Sequence, residues 1–382
     1  MNIAEIRAGM PALHSLLQVN AGTKGICAGP AVDALREIND EVELGGYAGY
    51  CSVMGKAIQA RARLARFFSV PETALAFTGN ASVSLNVALS LAWENWSAPA
   101  DVLISDHEYP TTNMLFGYLE KIGKARLIRF SLTGGVEALE QAVTPNTKLL
   151  VASHVDCNTG KRIDPTPLCT WARERDIVSY IDGAQATGQF PIDLTTMGCD
   201  LYITNGHKWL FGPNGVGLLY IRPDFEDSLT PLMVGLGTMD FTQHGKWVPG
   251  AHRFELTATR PAQVFATMNT ALDWYESHPV EERQKALTAH VKQRILSMPD
   301  RFRLITPLNW EESSALASVQ FLRKDGSVVP GAQIGEFCGR MLTEKVAFIR
   351  PVPEFDVIRL SMAYYNIEDE YERFFEITRE LH

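Results

Sequence analysis

Lys208 occupies a position in this sequence that needs a chemical explanation. It follows His207 in the stretch YITNGHKWLFGPNGVGLLYI, residues 202–221, between an apolar run and a glycine-rich turn. Burial of a lysine is costly because its charged amine gives up hydration. A lysine placed here is therefore predicted to serve as a reactive amine. A neutral amine forms a Schiff base with an aldehyde once its pKa falls from the usual value of about 10.4.

Asp182 is the second candidate, since it ends the apolar run IVSYI and precedes Gly183. Asp-Gly is a common turn pair, and a strand-end turn explains the residue equally well when it is taken alone. A buried carboxylate, however, favours a nearby cation such as a protonated ring nitrogen. A neutral lysine and such a carboxylate together fit an aldehyde-bearing pyridine with a phosphate, which describes pyridoxal 5'-phosphate.

The phosphate of such a group needs hydrogen-bond donors. The stretch GNAS, residues 79–82, is predicted to open a helix, whose free N–H groups and the Ser82 hydroxyl can hold an anion. A plain helix cap explains the same four residues and is the preferred interpretation in isolation. Asn205 and His207 flank Lys208 and are predicted to reach the same phosphate. His107 is predicted to stack on the ring, although a lone strand-end histidine is more often structural.

The elements that must position these residues alternate along the chain from about residue 72 to 221. Such alternation predicts an α/β domain with a mostly parallel sheet, and ligands bind at the carboxyl ends of its strands. The predicted strands cover 74–79, 101–106, 125–130, 148–154, 177–184, 199–205 and 215–223. Four of them end in polar stretches, namely FTGNAS, SDHEYP, SHVDCNTG and YIDGAQATG, and Lys208 follows a fifth.

The pattern changes after residue 260. Two amphipathic helices are predicted at 262–277 and 280–297, then strands near 315–322 and 355–361, and a closing helix at 367–381. We therefore divide the chain into an N-terminal segment (1–20), a large cofactor-binding domain (21–260) and a smaller α+β domain (261–382).

Composition restricts the partners of the protein. The 382 residues carry a net charge of −9, which argues against nucleic acid or an anionic membrane as the main partner. No apolar run reaches the roughly 18 residues of a membrane helix, and the first residues lack a signal-peptide core. A cytoplasmic protein is expected. The six cysteines include no CxxC pair, so neither a metal site nor a disulfide framework is predicted.

The residues from YIDGAQATGQFPIDL to NGHKWLFGPNGVGLLYI resemble class V of the aminotransferase superfamily, the fold-type I pyridoxal-phosphate enzymes. That group includes cysteine desulfurases, isopenicillin-N-epimerase-like proteins and cysteine/cystine C–S lyases. The likeness extends from VNAGTKG near residue 20 to RLSMAYYNIEDE near residue 365, and Lys208 stands 26 positions after Asp182, as in the family. It implies a large domain with a mostly parallel seven-stranded sheet and a smaller α+β C-terminal domain.

The resemblance also implies roles for single residues. Lys208 would carry the cofactor and shuttle protons, and Asp182 would pair with the ring nitrogen. Arg359 would bind the substrate carboxylate, a task that suits a planar guanidinium. The remaining roles are Gln185 near the ring hydroxyl, Ala184 and His107 on the two faces of the ring, Ala81, Ser82, Asn205 and His207 at the phosphate, and Thr259 reaching the phosphate of a partner subunit. The role of Thr259 implies a homodimer with active sites at the subunit interface.

Other features leave the reaction open. Asn20, Tyr109 and the pair Tyr364-Tyr365 are pocket candidates, for which packing is an equally good explanation. The stretch EKVAFIRPVPEFDVIRLS has no cysteine before Arg359, Cys338 lies in a predicted helix, and Cys157 is expected beside the cofactor. Desulfurase chemistry is therefore disfavoured.

The predicted activity is a lyase (C–S β-elimination) or an epimerase acting on a small or modified α-amino acid, with an aminotransferase as the alternative. A non-catalytic binding protein would need none of Lys208, Asp182 and Arg359. A metal hydrolase using His107, His154, His207 and Asp182 is disfavoured, because no two of these histidines have i, i+4 spacing.

Overall fold

The computed structural model describes residues 3–91, 96, 98–240, 242, 245–255 and 259–382. The strands are β1 (Leu17–Gln18), β2 (Leu75–Thr78), β3 (Ala100–Ser105), β4 (Ala125–Phe130), β5 (Thr147–Ser153), β6 (Val178–Asp182), β7 (Leu201–Asn205), β8 (Gly217–Ile221), β9 (Phe302–Leu304), β10 (Leu316–Phe321), β11 (Ala347–Phe348), β12 (Arg350–Val352) and β13 (Val357–Ser361). The helices are α1 (Ile3–Ala8), α2 (Gly29–Phe67), α3 (Ala81–Leu85), α4 (Ala88–Ser90), α5 (Pro110–Lys121), α6 (Gly135–Ala142), α7 (Thr166–Arg173), α8 (Leu194–Met197), α9 (Ala262–Glu276), α10 (Val280–Leu296), α11 (Gly331–Thr343) and α12 (Glu368–Ile377).

Seven strands form one sheet in the order β2-β8-β7-β6-β5-β3-β4. Strand β8 runs in the direction opposite to that of the other six strands. Six of the strands are short, mainly apolar runs buried on both faces, as expected of a parallel sheet covered by helices, whereas the edge strand β4 is partly exposed. In β3, Val102 and Ile104 belong to the core on one face and Leu103 to the core on the other. The predicted mostly parallel seven-stranded sheet is thereby confirmed.

The carboxyl ends of β3, β5, β6 and β7 lie along one edge of this sheet. Ser153 at the end of β5 pairs with Asp182 at the end of β6, and Asp182 pairs with Ile203 of β7. The polar stretches that follow these strands therefore meet, as the sequence predicted.

A second sheet, β12-β13-β10-β9, is antiparallel throughout and lies wholly within the C-terminal part of the chain. Strand β1 joins the N-terminal segment to this part, because Leu17 and Gln18 pair with Ala347 and Phe348 of β11. Helix α9 follows residue 260 in the chain but packs against α2, where Arg63 donates to the carbonyl of Asn269 at 2.9 Å. The domain boundary at residue 260 remains a prediction.

The helix predicted after Gly79 is interrupted. Helix α3 ends at Leu85, α4 covers only Ala88–Ser90, and residues 92–95 of the prediction lie outside the described residues. At the break, the side-chain amide of Asn86 donates to the carbonyl of Ser82 at 2.8 Å, the kind of local bond that competes with helix propagation. In the described part of the chain, no helix is both long and apolar enough to span a bilayer.

Candidate active site

A cavity of about 290 Å³ opens at the carboxyl edge of the large sheet. Its walls come from α3, the start of α5 and the segments that follow β5, β6 and β7. The predicted residues that line it are Ala81, Ser82, Tyr109, Asp182, Ala184, Gln185, Asn205, His207 and Lys208. Nine of the site residues taken from the sequence are thus brought to one place.

Lys208 is held by a close backbone approach. The amide of Gly25 donates to the carbonyl of His207 at 2.9 Å, and a Cβ added to Gly25 would lie 2.0 Å from the Lys208 carbonyl oxygen. The pKa of the Lys208 amine is lowered to about 8, mainly by burial; Asp182 opposes this decrease and Arg359 contributes to it. The amine nitrogen lies 5.8 Å from the centre of the Tyr109 ring. A substantial fraction of this amine is neutral near pH 8.

This lowered pKa predicts that Lys208 reacts with amine reagents at a lower pH than an ordinary lysine. In the cofactor-free protein, we expect labelling of Lys208 by an amine-reactive reagent to rise through a midpoint near pH 8, whereas an ordinary lysine titrates near 10.4. The sign follows from desolvation, which disfavours the charged form of an amine. Peptide mass spectrometry after labelling at a series of pH values measures the midpoint. A midpoint at the ordinary lysine value would contradict the assignment.

Asp182 ends β6 and faces the cavity with 8% of its surface exposed. One carboxylate oxygen accepts a hydrogen bond from the amide of Ala184 at 2.8 Å. Burial raises the pKa of Asp182, while the Ala184 bond and the charge of Lys208 oppose that rise. The charged carboxylate would therefore gain from a cation bound in the cavity.

Gln185 is fixed at both ends of its side-chain amide. Its nitrogen donates to the carbonyl of Gly22 at 2.7 Å, and its oxygen accepts from the Trp209 ring at 3.1 Å. Gln185 therefore forms a rigid wall between the N-terminal loop and the segment that carries Lys208.

Two buried polar atoms point to a ligand. The side-chain oxygen of Asn205 and Nδ1 of His207 have no hydrogen-bond partner among the described residues. Burial lowers the pKa of His207 to about 4, and Lys208 acts in the same direction, so the ring is neutral at pH 7 and offers one N–H donor. Unpaired buried polar groups are costly, and a hydrogen-bonding ligand would remove that cost.

The first turn of α3 lines the same cavity as Asn205 and His207. Asn80 caps the helix by accepting from the amide of Val83 at 3.0 Å, and Ala81 and Ser82 are its first two residues. Amides in a first helical turn lack intrahelical partners. Gly217 of β8 supports the turn from below, since a Cβ there would lie 2.5 Å from the Asn80 carbonyl carbon.

Arg359 lies beside the cavity and is 3% exposed. Its guanidinium donates to the carbonyl of Cys157 at 2.7 Å, to Asn20 at 3.3 Å and to Thr23 at 3.4 Å. Burial lowers its pKa to about 10, so the group is charged at neutral pH. No carboxylate contacts it within the described part of the chain.

The remaining predicted residues are not part of the described lining of the cavity. His107 is half-buried, its Nδ1 lies 2.8 Å from Asp156, and its ring packs edge-on against Phe355 at 5.1 Å. Thr259 is exposed. Tyr364 and Tyr365 are buried in aromatic contacts with Trp274 and Phe211, as the packing interpretation predicted.

Sequence reasoning missed three charged residues near the site. Arg350 of β12 pairs in register with Arg359 of β13. Asp156 holds His107. Glu108 is buried, with its two oxygens accepting from Ser105 at 2.7 Å and Ser153 at 2.9 Å. Burial and then Asp182 raise the pKa of Glu108 to about 7. The signal for Glu108 and Asp156 was an acidic residue shortly after the end of a buried strand.

The histidines of the metal-hydrolase alternative lie in separate environments. His154 contacts the hydroxyl of Tyr202 at 3.1 Å and its pKa is lowered to about 3 by burial, whereas His107 is held by Asp156. Within the described ranges, no cluster of three or more His, Cys, Asp or Glu side chains has a geometry that could hold a metal ion.

Comparison with known proteins places this geometry in context. A family profile described as aminotransferase class-V matches residues 49–374. Isopenicillin N epimerase from Streptomyces clavuligerus is 31% identical over 337 residues, which cover 82% of this chain and 82% of that protein. A probable cysteine desulfurase from Streptomyces coelicolor is 28% identical over 74% of this chain and 72% of its own length. Among solved structures, a cystine C–S lyase in complex with its product cysteine persulfide superposes with a TM-score of 0.85 at 21% identity, covering 97% of this chain and 99% of the other.

Proposed function

Because the chain belongs to the class-V aminotransferase family and has the fold of its pyridoxal 5'-phosphate enzymes, we propose that it is a lyase. It would remove the α-proton of an amino acid and expel a substituent, such as a thiolate, from Cβ. The observation that carries the proposal is the meeting of Lys208, Asp182 and Arg359 around one cavity.

The residues present fit the cofactor. The orphaned polar atoms of Asn205 and His207 and the first turn of α3 would hold the phosphate. Asp182 would hold the proton on the ring nitrogen, and the amine of Lys208 would attach the aldehyde carbon. When bound, the cofactor supplies an electron-accepting ring that makes the α-proton of an amino acid acidic.

Two residues of the chain then carry out substrate binding and proton transfer. Arg359 binds the α-carboxylate through its unpartnered Nε and the terminal nitrogen that it releases from Asn20, and it keeps its bond to the carbonyl of Cys157. The Lys208 amine, with its pKa near 8, accepts the proton from Cα as general base. Proton removal from Cα therefore needs no further base.

Elimination is favoured because Lys208 is the one amine among the described residues that line the cavity. The other ionisable residues that line it are Tyr109, Cys157, Asp182 and His207. Asp182 and His207 are assigned to the cofactor, and burial raises the pKa of the Cys157 thiol to about 12. A base that removes one proton and returns none to the opposite face of Cα suits elimination better than epimerisation.

The same thiol argues against desulfurase chemistry. The nucleophile of a desulfurase must be a thiolate, and Cys157 is a protonated thiol at neutral pH. Cys338 is buried in α11. Persulfide formation on either cysteine is not supported.

Epimerisation is the second candidate, and the likeness to isopenicillin N epimerase favours it. Both reactions, and transamination, begin with loss of the α-proton. The deciding experiment incubates the cofactor-loaded protein with a panel of α-amino acids in deuterated water. Release of a β-group with keto acid supports the lyase, inverted configuration supports the epimerase, and keto acid without β-release supports an aminotransferase. If the protein exchanges the α-proton of no substrate, a non-catalytic binding protein is the remaining explanation.

Arg350 indicates the substrate class. Its guanidinium has no hydrogen-bond or ion-pair partner among the described residues, and it stands in register with Arg359. Its positive charge acts on both Arg359 and Lys208, so it faces the site. Two adjacent arginines suit a substrate with a second acidic group beyond its α-carboxylate.

An Arg350→Ala variant tests this substrate class. For substrates with a second acidic group, we expect KM to rise by the equivalent of about 1.5–3 kcal/mol, the typical value of a hydrogen bond to a charged group. Substrates with a neutral side chain are expected to keep their KM or to bind slightly better, since Arg359 loses a repulsive neighbour. Equal effects on both substrate classes would contradict the interpretation.

We also propose a homodimer in which Thr259 reaches the phosphate of the partner subunit. Thr259 is exposed on its own chain. Apolar side chains are exposed nearby in sequence at Leu232, Met233, Val234 and Leu236, and such a patch is typical of an interface. The cytoplasmic location remains a prediction.

A further inference from the structure

Asp156 is the most fully bonded acidic side chain at the rim of the cavity, and the proposed reaction does not use it. It is 1% exposed. One carboxylate oxygen accepts from the amide of Asn158 at 2.8 Å, and the other contacts Nδ1 of His107 at 2.8 Å and the hydroxyl of Thr159. A buried carboxylate with this many local donors is fixed in one orientation.

The loop that begins at Asp156, residues 156–160, is fastened to the C-terminal part of the chain. Four consecutive backbone carbonyl oxygens of the loop accept hydrogen bonds from side chains of that C-terminal part. The pairs are Cys157 with Arg359 at 2.7 Å, Asn158 with Ser318, Thr159 with Thr306, and Gly160 with Ser314 at 3.0 Å. The first of these donors is the arginine proposed to bind the substrate carboxylate.

We propose that Asp156 is the positioning residue of His107, fixing its ring orientation and the proton on Nδ1, and that loop 156–160 ties this ring to Arg359. The inference rests on the proposed function for the role of Arg359, and on the expectation that His107 stacks on the ring of the cofactor. Because a carboxylate only accepts hydrogen bonds, the histidine must donate from Nδ1. Nε2 is then the nitrogen left to meet cofactor or substrate, and Phe355 limits rotation of the ring.

The charge of the histidine follows from the same contact. Asp156 raises the pKa of His107, burial opposes that rise, and Asp106 and Glu108 add smaller raising contributions. Removing the carboxylate charge therefore removes the largest raising cause and leaves burial. The pKa of His107 is expected to fall in an Asp156→Asn variant, and any step that needs the charged ring shifts to lower pH.

The experiment uses the cofactor-loaded protein with isotope-labelled histidine, and the His107 signal is assigned with a His107→Gln variant. In the wild type, we expect His107 to titrate above the ordinary value of about 6.5. In Asp156→Asn it is expected to titrate below its wild-type value, and the bound cofactor's absorbance is expected to change. Turnover is expected to fall by about 10²-fold, the cost of a misplaced catalytic group, with KM little changed because Arg359 keeps its contacts.

Two further variants separate positioning from general damage. Asp156→Glu keeps the charge, so it should keep the high titration while turnover falls through ring displacement. Asp101→Asn is the matched control, because Asp101 is also buried and ion-paired, with Arg126, at the far end of β3. It should leave the His107 titration unchanged. The double variant His107→Gln/Asp156→Asn should turn over no more slowly than His107→Gln alone.

Several outcomes would overturn the inference. They are a wild-type His107 that titrates at or below the ordinary value, an unchanged titration in Asp156→Asn, or additive losses in the double variant. The first needs no substitution at Asp156, so it holds even where Asp156→Asn does not fold. Absence of α-proton exchange in the wild type would defeat the proposed function, while the titration would still test the His107–Asp156 pair.

Discussion

In a Lys208→Ala variant, α-proton exchange is expected to fall by at least about 10²- to 10⁴-fold with every amino acid, the usual contribution of a positioned general base. The variant removes both the attachment point of the cofactor and the amine whose pKa is lowered to about 8. Loss of the α-proton signal in deuterated water, followed by nuclear magnetic resonance, gives the rate. The absorbance of the bound cofactor should change as well.

Lys292 offers a matched control for this variant. It is a second buried lysine, its pKa is also lowered to about 8 by burial, and it donates to the carbonyl of Pro307 and the hydroxyl of Ser313, away from the cavity. Lys292→Met is expected to lower stability and to leave exchange intact. Wild-type exchange in Lys208→Ala would mean that another group removes the proton.

An Arg359→Ala variant is expected to weaken binding of every α-amino acid by about 2–5 kcal/mol, the cost of truncating one partner of a buried, hydrogen-bonded charge pair. The effect should fall on KM more than on turnover, since Lys208 and Asp182 are unchanged. Initial rates across a range of substrate concentrations measure the two separately.

An amine without the α-carboxylate is the internal control for Arg359. The wild type should bind it as weakly as Arg359→Ala binds the parent amino acid, and the variant should not weaken it further. Arg350→Ala gives the contrast, because its effect is confined to substrates with a second acidic group. A wild-type KM in Arg359→Ala would place the carboxylate elsewhere.

The sequence predicted the residues that follow parallel strands better than those that depend on distant segments. Asp182 and Lys208 meet because β6 and β7 are neighbours in the sheet, and strand ends of a parallel sheet share one edge. The register of Arg350 with Arg359 depends instead on the antiparallel turn between β12 and β13. No periodicity in the sequence specifies that turn.

The pairing of His107 with Asp156 could not be predicted from the sequence either. The two residues stand 49 positions apart, and their contact requires loop 156–160 to fold back towards the end of β3. At the interruption of the helix after α3, the side chain of Asn86 donates to the carbonyl of Ser82, a contact that helix propensity does not reveal. The close approach of Gly25 to Lys208 could be recognised only from the complete fold.

The loop between β1 and α2 has a consequence for how the chain matures on the ribosome. The amide of Gly22 donates to the Ser361 hydroxyl, 339 positions later in the sequence, and β1 pairs with β11. Contacts of such long range close slowly because much chain entropy must be lost first. The catalytic cleft is therefore completed only after β13 has been synthesised, and a nascent chain that ends before it has no closed wall to retain a cofactor.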